Sequence, residues 1–177
     1  MIPKIIHYCW FGGKPKSTEF YRWLETWKEA MPDYEIMEWN EQNFDINFCN
    51  YSREAYLTRN YAHVSDVCRV YALYKLGGVY LDTDVEVIKS FDQFLCLRAF
   101  ASIERPLIGT AVIGAEAGMI WLEAFLKYYK KTHFINIWGH TVRTPNTKIL
   151  TKRVLPHIGL ADWPTIFPKR LLLWNNK

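Results

Sequence analysis

Residues 62–84 read AHVSDVCRVYALYKLGGVYLDTD, and this stretch decides the fold. Val64, Val67, Cys68, Val70, Tyr71, Ala72, Leu73 and Leu76 leave almost no polar face, so the pattern predicts a buried helix from about Tyr61 to Leu76. Gly77-Gly78 ends it, as a glycine just past a helix C-terminus does. Val79-Tyr80-Leu81 then begins a strand that meets Asp82-Thr83-Asp84, and Val85, Val87 and Ile88 either continue it or start a neighbour.

The charges inside this apolar frame carry the functional reading. Asp66 and Arg69 form an i,i+3 pair, worth only about 0.2–0.5 kcal/mol on a helix surface. On a buried helix, ionised groups cost several kcal/mol unless matched, and a chain keeps them where a ligand needs them. Asp82 and Asp84 sit two apart, so in a strand their side chains point the same way. Such a pair is a hard oxygen site for Mg²⁺ or Mn²⁺; two solvated acids in a turn is the alternative. A strand climbs about 3.3 Å per residue and a helix about 1.5 Å. A helix packing back along the strand therefore brings residues 64–68 level with the two aspartates. The expectation is one cluster of four charged side chains, with Cα atoms within about 10 Å. A cation on Asp82 and Asp84 would neutralise a diphosphate, Arg69 would offer a forked donor, and Asp66 would accept from sugar hydroxyls. Trp10, at the end of the first strand, would stack on a base or else belong to the core.

Outward from this stretch, Lys4 to Trp10 reads as a buried strand closed by Gly12-Gly13. Ser17 or Thr18 caps a helix to about Ala30, with Phe20, Trp23, Leu24 and Trp27 along one stripe, and Pro32-Asp33 stops it. Tyr34 to Trp39 is a second strand, Asn40 to Asn50 a loop, and Ser52 or Thr58 opens helical sequence. Arg98 to Glu104 and Leu107 to Gly114 are further strands. Gly118 to Thr132 is a helix facing Ile120, Trp121, Ala124, Phe125 and Tyr128 inward, and Thr147 to Leu155 is the last helix. The alternation predicts an α/β fold with a mixed central sheet flanked by helices, as one domain over 1–177.

With 50% hydrophobic and 23% charged residues, the 177-residue chain is neither a disordered tail nor a low-complexity scaffold. Cys9, Cys49, Cys68 and Cys96 form no CxxC pair, which excludes a zinc knuckle and fits a reducing compartment. No apolar run reaches membrane-spanning length and the start lacks a secretory apolar region, so the expected location is cytoplasmic. Charge is lopsided. Residues 1–126 carry 12 Lys/Arg against 17 Asp/Glu, whereas 127–177 carry 10 Lys/Arg against Asp162 alone. This basic C-terminal portion is either a solvated face or the face of an anionic partner, including peripheral contact with the inner membrane surface. No RNP-type, zinc-finger or helix-turn-helix signature accompanies the charge, so no nucleic-acid partner is expected.

Two stretches together carry a family resemblance. Ile2-Pro3-Lys4-Ile5-Ile6-His7-Tyr8-Cys9-Trp10-Phe11-Gly12-Gly13 resembles the opening of the family 32 glycosyltransferases with a DXD sugar-binding region. So does Ala62-x-x-Ser65-Asp66-x-x-Arg69-x-x-x-Leu73-Tyr74-x-x-Gly77-Gly78-x-Tyr80-Leu81-Asp82-Thr83-Asp84. The family includes capsular-polysaccharide transferases, with the large clostridial glucosylating toxins as distant relatives. The pattern spans residues 1 to about 104, and continues weakly through Gly109 to Gly114 and Thr144 to Thr147. The resemblance implies a GT-A-like fold and a retaining, metal-dependent hexosyltransferase. It would take a nucleotide-sugar donor, UDP-linked first, and a glycan or lipid-linked acceptor. It implies that Trp10 stacks on the base, Asp66 and Arg69 hold ribose or donor sugar, and Tyr80 lies by the nucleotide. It further implies that Asp82 contacts sugar and metal region, and that Asp84 ligates Mn²⁺ or Mg²⁺. Family members continue past the Phe167-Pro168 region into a segment that closes over the diphosphate, whereas this sequence ends at Asn175-Asn176-Lys177. A partner-completed or non-catalytic nucleotide-sugar-binding protein is therefore the alternative reading. A Mg²⁺-dependent phosphatase is the weaker one: Leu81-Asp82-Thr83-Asp84-Val85 resembles a haloacid-dehalogenase opening motif, but it lies mid-chain and no acidic pair follows.

Overall fold

The computed structural model describes residues 1–104, 106–168 and, by backbone alone, 174–176. In chain order the elements are β1 (Ile5–Cys9), α1 (Thr18–Ala30), β2 (Glu35–Trp39), α2 (Asn50–Leu57), α3 (Tyr61–Leu76), β3 (Gly78–Leu81), β4 (Val85–Val87), β5 (Ala99–Glu104), β6 (Leu107–Ala115), α4 (Ile120–Lys131), α5 (Asn146–Ile149), β7 (Thr165–Pro168) and β8 (Trp174–Asn176). Six strands form one sheet in the order β2-β1-β3-β6-β5-β7, while β4 pairs with β8 in a separate ribbon. β1 is parallel to both β2 and β3, β3 and β5 are antiparallel to β6, and β7 is parallel to β5. The sheet is mixed, as expected.

Period-two alternation sorts the side chains between two cores. Ile6, Tyr8, Val79 and Leu81 join Phe20 and Trp27 of α1 on one face, whereas Cys9 and Tyr80 join Val64, Val67 and Cys68 of α3 on the other. The chain leaves β1 through α1 to β2 on one side, then returns through α3 to β3 on the other side. The C-terminal ends of β1 and β3 thus flank a topological switch point, where open α/β sheets leave a crevice for ligands.

Two devices fix that crevice. Gly77 and Gly78 have φ of +67° and +103°, and a Cβ on Gly78 would lie 2.6 Å from the Ile5 carbonyl oxygen. Only glycine lets α3 turn into β3 this close to β1. His7, fully buried, ties the three parallel strands together. Its Nδ1 accepts from Trp39 Nε1 at 3.1 Å, and because indole only donates, Nε2 carries the proton and donates to the Gly77 carbonyl at 2.7 Å. Burial pushes the His7 pKa down to about 4, against a smaller opposing pull from that carbonyl.

Several expectations need correction. β3 stops at Leu81. Asp82 N still donates to Ala111 O, but Val85 N returns to Asp82 O at 3.1 Å, so Asp82-Thr83-Asp84 is a tight turn rather than strand. The loop expected at Asn40–Asn50 contains a 3₁₀ turn over Ile46–Phe48, and α2 begins at Asn50, capped by Cys49, as a helix separate from α3. The last helix is α5 followed by a π turn over Leu150–Val154, with Pro156 in the next turn. Ile120, expected inward, is exposed at the start of α4. β7 and β8 were not foreseen, and Lys169, Arg170 and Lys177 of the basic portion lie outside the described residues.

Candidate active site

α3 lies against the sheet so that its middle faces the end of β3, and three of the four expected side chains, Asp66, Arg69 and Asp82, join in direct contact, while Asp84 shares only the cavity walls. Arg69, with a side chain only 7% exposed, is the centre of this cluster. Nη2 meets Asp66 Oδ1 at 2.9 Å and Nη1 meets Asp82 Oδ1 at 3.1 Å. Nη1 also donates to the Thr110 carbonyl at 2.7 Å, and the guanidinium lies 4.5 Å from the centre of the Tyr80 ring. Burial disfavours the Arg69 charge, but Asp82, Tyr80 and Asp66 more than offset it and hold its pKa well above the usual value. Arg69 is therefore a fixed cation whose terminal nitrogens are engaged by protein; among the described residues its buried Nε has no partner.

Each carboxylate has a distinct setting. Asp66 faces His63 through its second oxygen, Nδ1 lying at 3.4 Å, and Tyr51 OH lies 3.3 Å from the same nitrogen. Asp82 accepts from Tyr80 OH at 3.1 Å. Burial pushes its pKa up to about 6, with Arg69 pulling it down and Asp66 and Asp84 adding to the rise. Asp84 is exposed and makes no hydrogen bond or ion pair among the described residues.

Two cavities of about 370 Å³ each open on this cluster, a size range that suits small ligands. Both are lined by Asp66, Arg69, Asp82 and Asp84; one continues to Cys9, Ala62, Ser65, Tyr80 and Thr83. The other continues to Glu104, Thr110, Ala111, Pro145, Asn146 and Thr147. Trp10 lines neither. Alternation along β1 puts Cys9 on the α3 side and sends Trp10 to the α1 side. There its ring packs on Phe20 and its Nε1 donates to Lys14 O at 2.7 Å. Trp10 lines a separate depression with Gly13, Lys14, Lys16, Glu38, Asn40, Glu41 and Gln42, on the same sheet edge and one strand from Asp82.

Residues 17–101 match the family described as a glycosyltransferase sugar-binding region containing a DXD motif, and Asp82-Thr83-Asp84 is that motif. Just under half of the chain therefore resembles the DXD-containing glycosyltransferases. Inositol phosphoceramide mannosyltransferase 3 of Schizosaccharomyces pombe is 32% identical over 127 residues, covering 66% of this chain and 34% of that protein. An uncharacterized Arabidopsis thaliana protein is 31% identical over 90 residues, covering 51% of this chain and 14% of its own length. The chain thus spans about a third of the first curated relative and about a seventh of the second. Two solved structures share the fold. PaToxG glycosyltransferase has a TM-score of 0.55 at 16% identity, covering 71% of this chain and 58% of its own. A glycosyltransferase involved in glycosylation of the major capsid of PBCV-1 has a TM-score of 0.52 at 13% identity, covering 94% and 82%. The fold is GT-A-like, as expected.

The cluster's charge bears on metal binding. Asp66, Asp82 and Asp84 against the single Arg69 leave two net negative charges on the walls the two cavities share. Among the described residues no group of three His, Cys, Asp or Glu side chains is placed to enclose a metal ion. Two hard carboxylates on a cavity rim nevertheless suit Mg²⁺ or Mn²⁺, which complete their shells with water and ligand phosphates. The donor set fits a cation that arrives with a diphosphate.

Sequence reading missed Cys9, Ser65, Glu104, Thr110 and Asn146. Glu104 had a usable signal, an acid ending an apolar strand. For Asn146 the signal was the weak resemblance over Thr144 to Thr147; the packing that sets it, Tyr129 OH holding its Oδ1 at 2.6 Å, is a contact across 17 residues.

Proposed function

We propose that this chain transfers a hexosyl group from a nucleoside-diphosphate sugar, UDP-linked in first preference and GDP-linked in second, to a glycan or lipid-linked acceptor. The reaction retains anomeric configuration and uses Mn²⁺ or Mg²⁺ on Asp84 and Asp82. The observation that carries the reading is the dianionic cluster shared by two cavities, with Arg69 locked at its centre and Asp84 free for a ligand. When bound, the cation supplies charge stabilisation for a departing diphosphate. Arg69 sets a fixed positive field beside the same spot without reorganising. Asp66 orients sugar hydroxyls, and Tyr80, donating to Asp82, keeps that carboxylate's second oxygen turned to the cavity. A nucleotide reaching from Asp82 across the end of β1 meets the Trp10 depression, which supports a base-stacking role for that indole. The second cavity, with Glu104 and Asn146, takes the acceptor. All three carboxylates of the cluster face Arg69 or the metal position, so no separate nucleophile is assigned and attack comes from the face the diphosphate leaves. The name of the fission-yeast relative supports the lipid-linked acceptor.

The test is turnover of a UDP- and GDP-sugar panel with and without Mn²⁺, for the wild type and Asp84→Asn. Because Asp84 is exposed, the variant should keep its melting temperature while losing at least a hundredfold in turnover. Metal-independent turnover, or an undiminished rate in the variant, refutes the proposal. Donor binding with no turnover of any donor makes the chain a binding module instead.

A further inference from the structure

Ile137 and Trp138, between α4 and α5, are 89% and 75% exposed. They sit on the tip of a built turn. Val142 N donates to Phe134 O at 2.7 Å, Ile135 bridges Thr141, and Asn136 N donates to His140 O at 2.9 Å. The Asn136 side-chain oxygen accepts from both Trp138 N and His140 N, at 3.0 and 2.9 Å. At the base, Phe134 is buried and the Glu54 carboxylate accepts from Ile135 N and meets His133 Nδ1. The tip is thus pre-ordered, which lowers the cost of docking it, yet its two apolar side chains cover nothing.

Apart from Glu54, which is held by hydrogen bonds at the base, the segment carrying the turn has one sign of charge. From residue 124 to 161 the sequence holds seven Lys/Arg and no acid. Lys131 at the end of α4 and Arg143 on the returning arm are exposed on either side of the turn, and Lys148 is exposed beyond it. The same segment runs on into Pro145, Asn146 and Thr147, which line the second cavity.

We propose that the Asn136–His140 turn is a membrane-contact element. Ile137 and Trp138 enter the headgroup–acyl boundary of an anionic bilayer while Lys131, Arg143 and Lys148 meet lipid phosphates. Tryptophan suits that boundary, having an apolar body and one polar N–H, and basic side chains beside it add attraction to anionic lipid. Charge decides between occupants. A second copy docking on this turn would bring two basic collars together, and a sugar stacked on Trp138 would leave Ile137 bare. Joined to the reaction proposed above, on which the acceptor part of this inference rests, the contact holds the second cavity at a lipid-borne acceptor.

The experiment is co-sedimentation of the full chain with vesicles of phosphatidylcholine and phosphatidylglycerol at 7:3, and of phosphatidylcholine alone, without donor or metal. The wild type should partition onto the anionic vesicles. Ile137→Ser/Trp138→Ser should weaken partitioning at least tenfold, and Lys131→Gln/Arg143→Gln should weaken it about fivefold per charge removed, in a salt-sensitive way. All four side chains are exposed, and an unchanged melting temperature checks the fold. Lipid brominated near the glycerol should quench a fluorescence component absent in Trp138→Phe. Equal binding by the tip variant, or no wild-type preference for anionic vesicles, overturns the proposal. So does loss of self-association or of glycan binding as the tip variant's only defect. Donor hydrolysis without vesicles, unchanged in the tip variant, separates the two readings. Vesicle binding without any turnover supports this contact and ends the proposed reaction; turnover without vesicle binding does the reverse.

Discussion

His7 makes the stability of the switch point pH-dependent. The ring is fully buried and both nitrogens are engaged, by Trp39 Nε1 and the Gly77 carbonyl. A second proton on Nδ1 would face the indole N–H, so the folded state resists protonation and the pKa falls to about 4 from 6.5. Between these values the unfolded chain binds a proton that the folded chain does not, so stability is present above the unfolded pKa and is lost as pH falls. Linkage gives a loss of about 2 kcal/mol by pH 5 and about 3 kcal/mol by pH 4. For a domain of this length that corresponds to about 4–8 °C in melting temperature at pH 5. The assay is urea and thermal unfolding of wild type and His7→Gln between pH 7.5 and 4.5. Glutamine can donate to Gly77 and accept from Trp39 but does not titrate. Asp82, whose pKa moves the opposite way, titrates in both chains and cancels in the difference. The wild type should lose stability relative to His7→Gln as pH falls. Parallel profiles, or a wild type that gains on acidification, would refute the argument.

Further expectations follow from single contacts. Arg69→Met leaves Asp66 and Asp82 facing each other without their cation, and should cost about 3–5 kcal/mol in urea unfolding together with donor binding by calorimetry. Gly78→Ala places a Cβ 2.6 Å from Ile5 O at φ +103°, and should lower stability by about 2 kcal/mol or more, read as a fall in melting temperature. Tyr129→Phe strands the buried Asn146 Oδ1, costing about 1–3 kcal/mol and raising the acceptor KM more than the donor KM. Glu104→Gln, on the wall of the second cavity alone, should raise acceptor KM and leave donor hydrolysis unchanged in steady-state kinetics.

What was legible depended on distance along the chain. α3 and β3 were readable because their apolar pattern and the Gly77-Gly78 break are local. The Asp66–Arg69–Asp82 chain was readable because the helix and strand that carry it adjoin across one turn, so rise per residue fixed their alignment. The end of β3 at Leu81 was not: Asp82 N still bonds to Ala111 O of β6, and the strand ends only because Val85 N folds back onto Asp82 O. Val87 was equally ambiguous: its partner strand β8 lies almost ninety residues away and outside the main sheet. The regular helix expected at Thr147–Leu155 gives way to a π turn packed under β6, where Thr151 Oγ1 accepts from Ile108 N.

By itself the sequence determined α1, α3, α4 and the strands β1 to β3, β5 and β6, the glycine break and the charged residues of the site, because helix and strand periods, glycine's missing Cβ and the cost of buried charge act locally. Only the tertiary structure decided which face each residue takes. It set Trp10 on the α1 side and Cys9 on the α3 side, and brought Glu104, Thr110 and Asn146 to the second cavity. It also left Ile137 and Trp138 uncovered. Those outcomes depend on strand order and long-range packing, which no local pattern encodes.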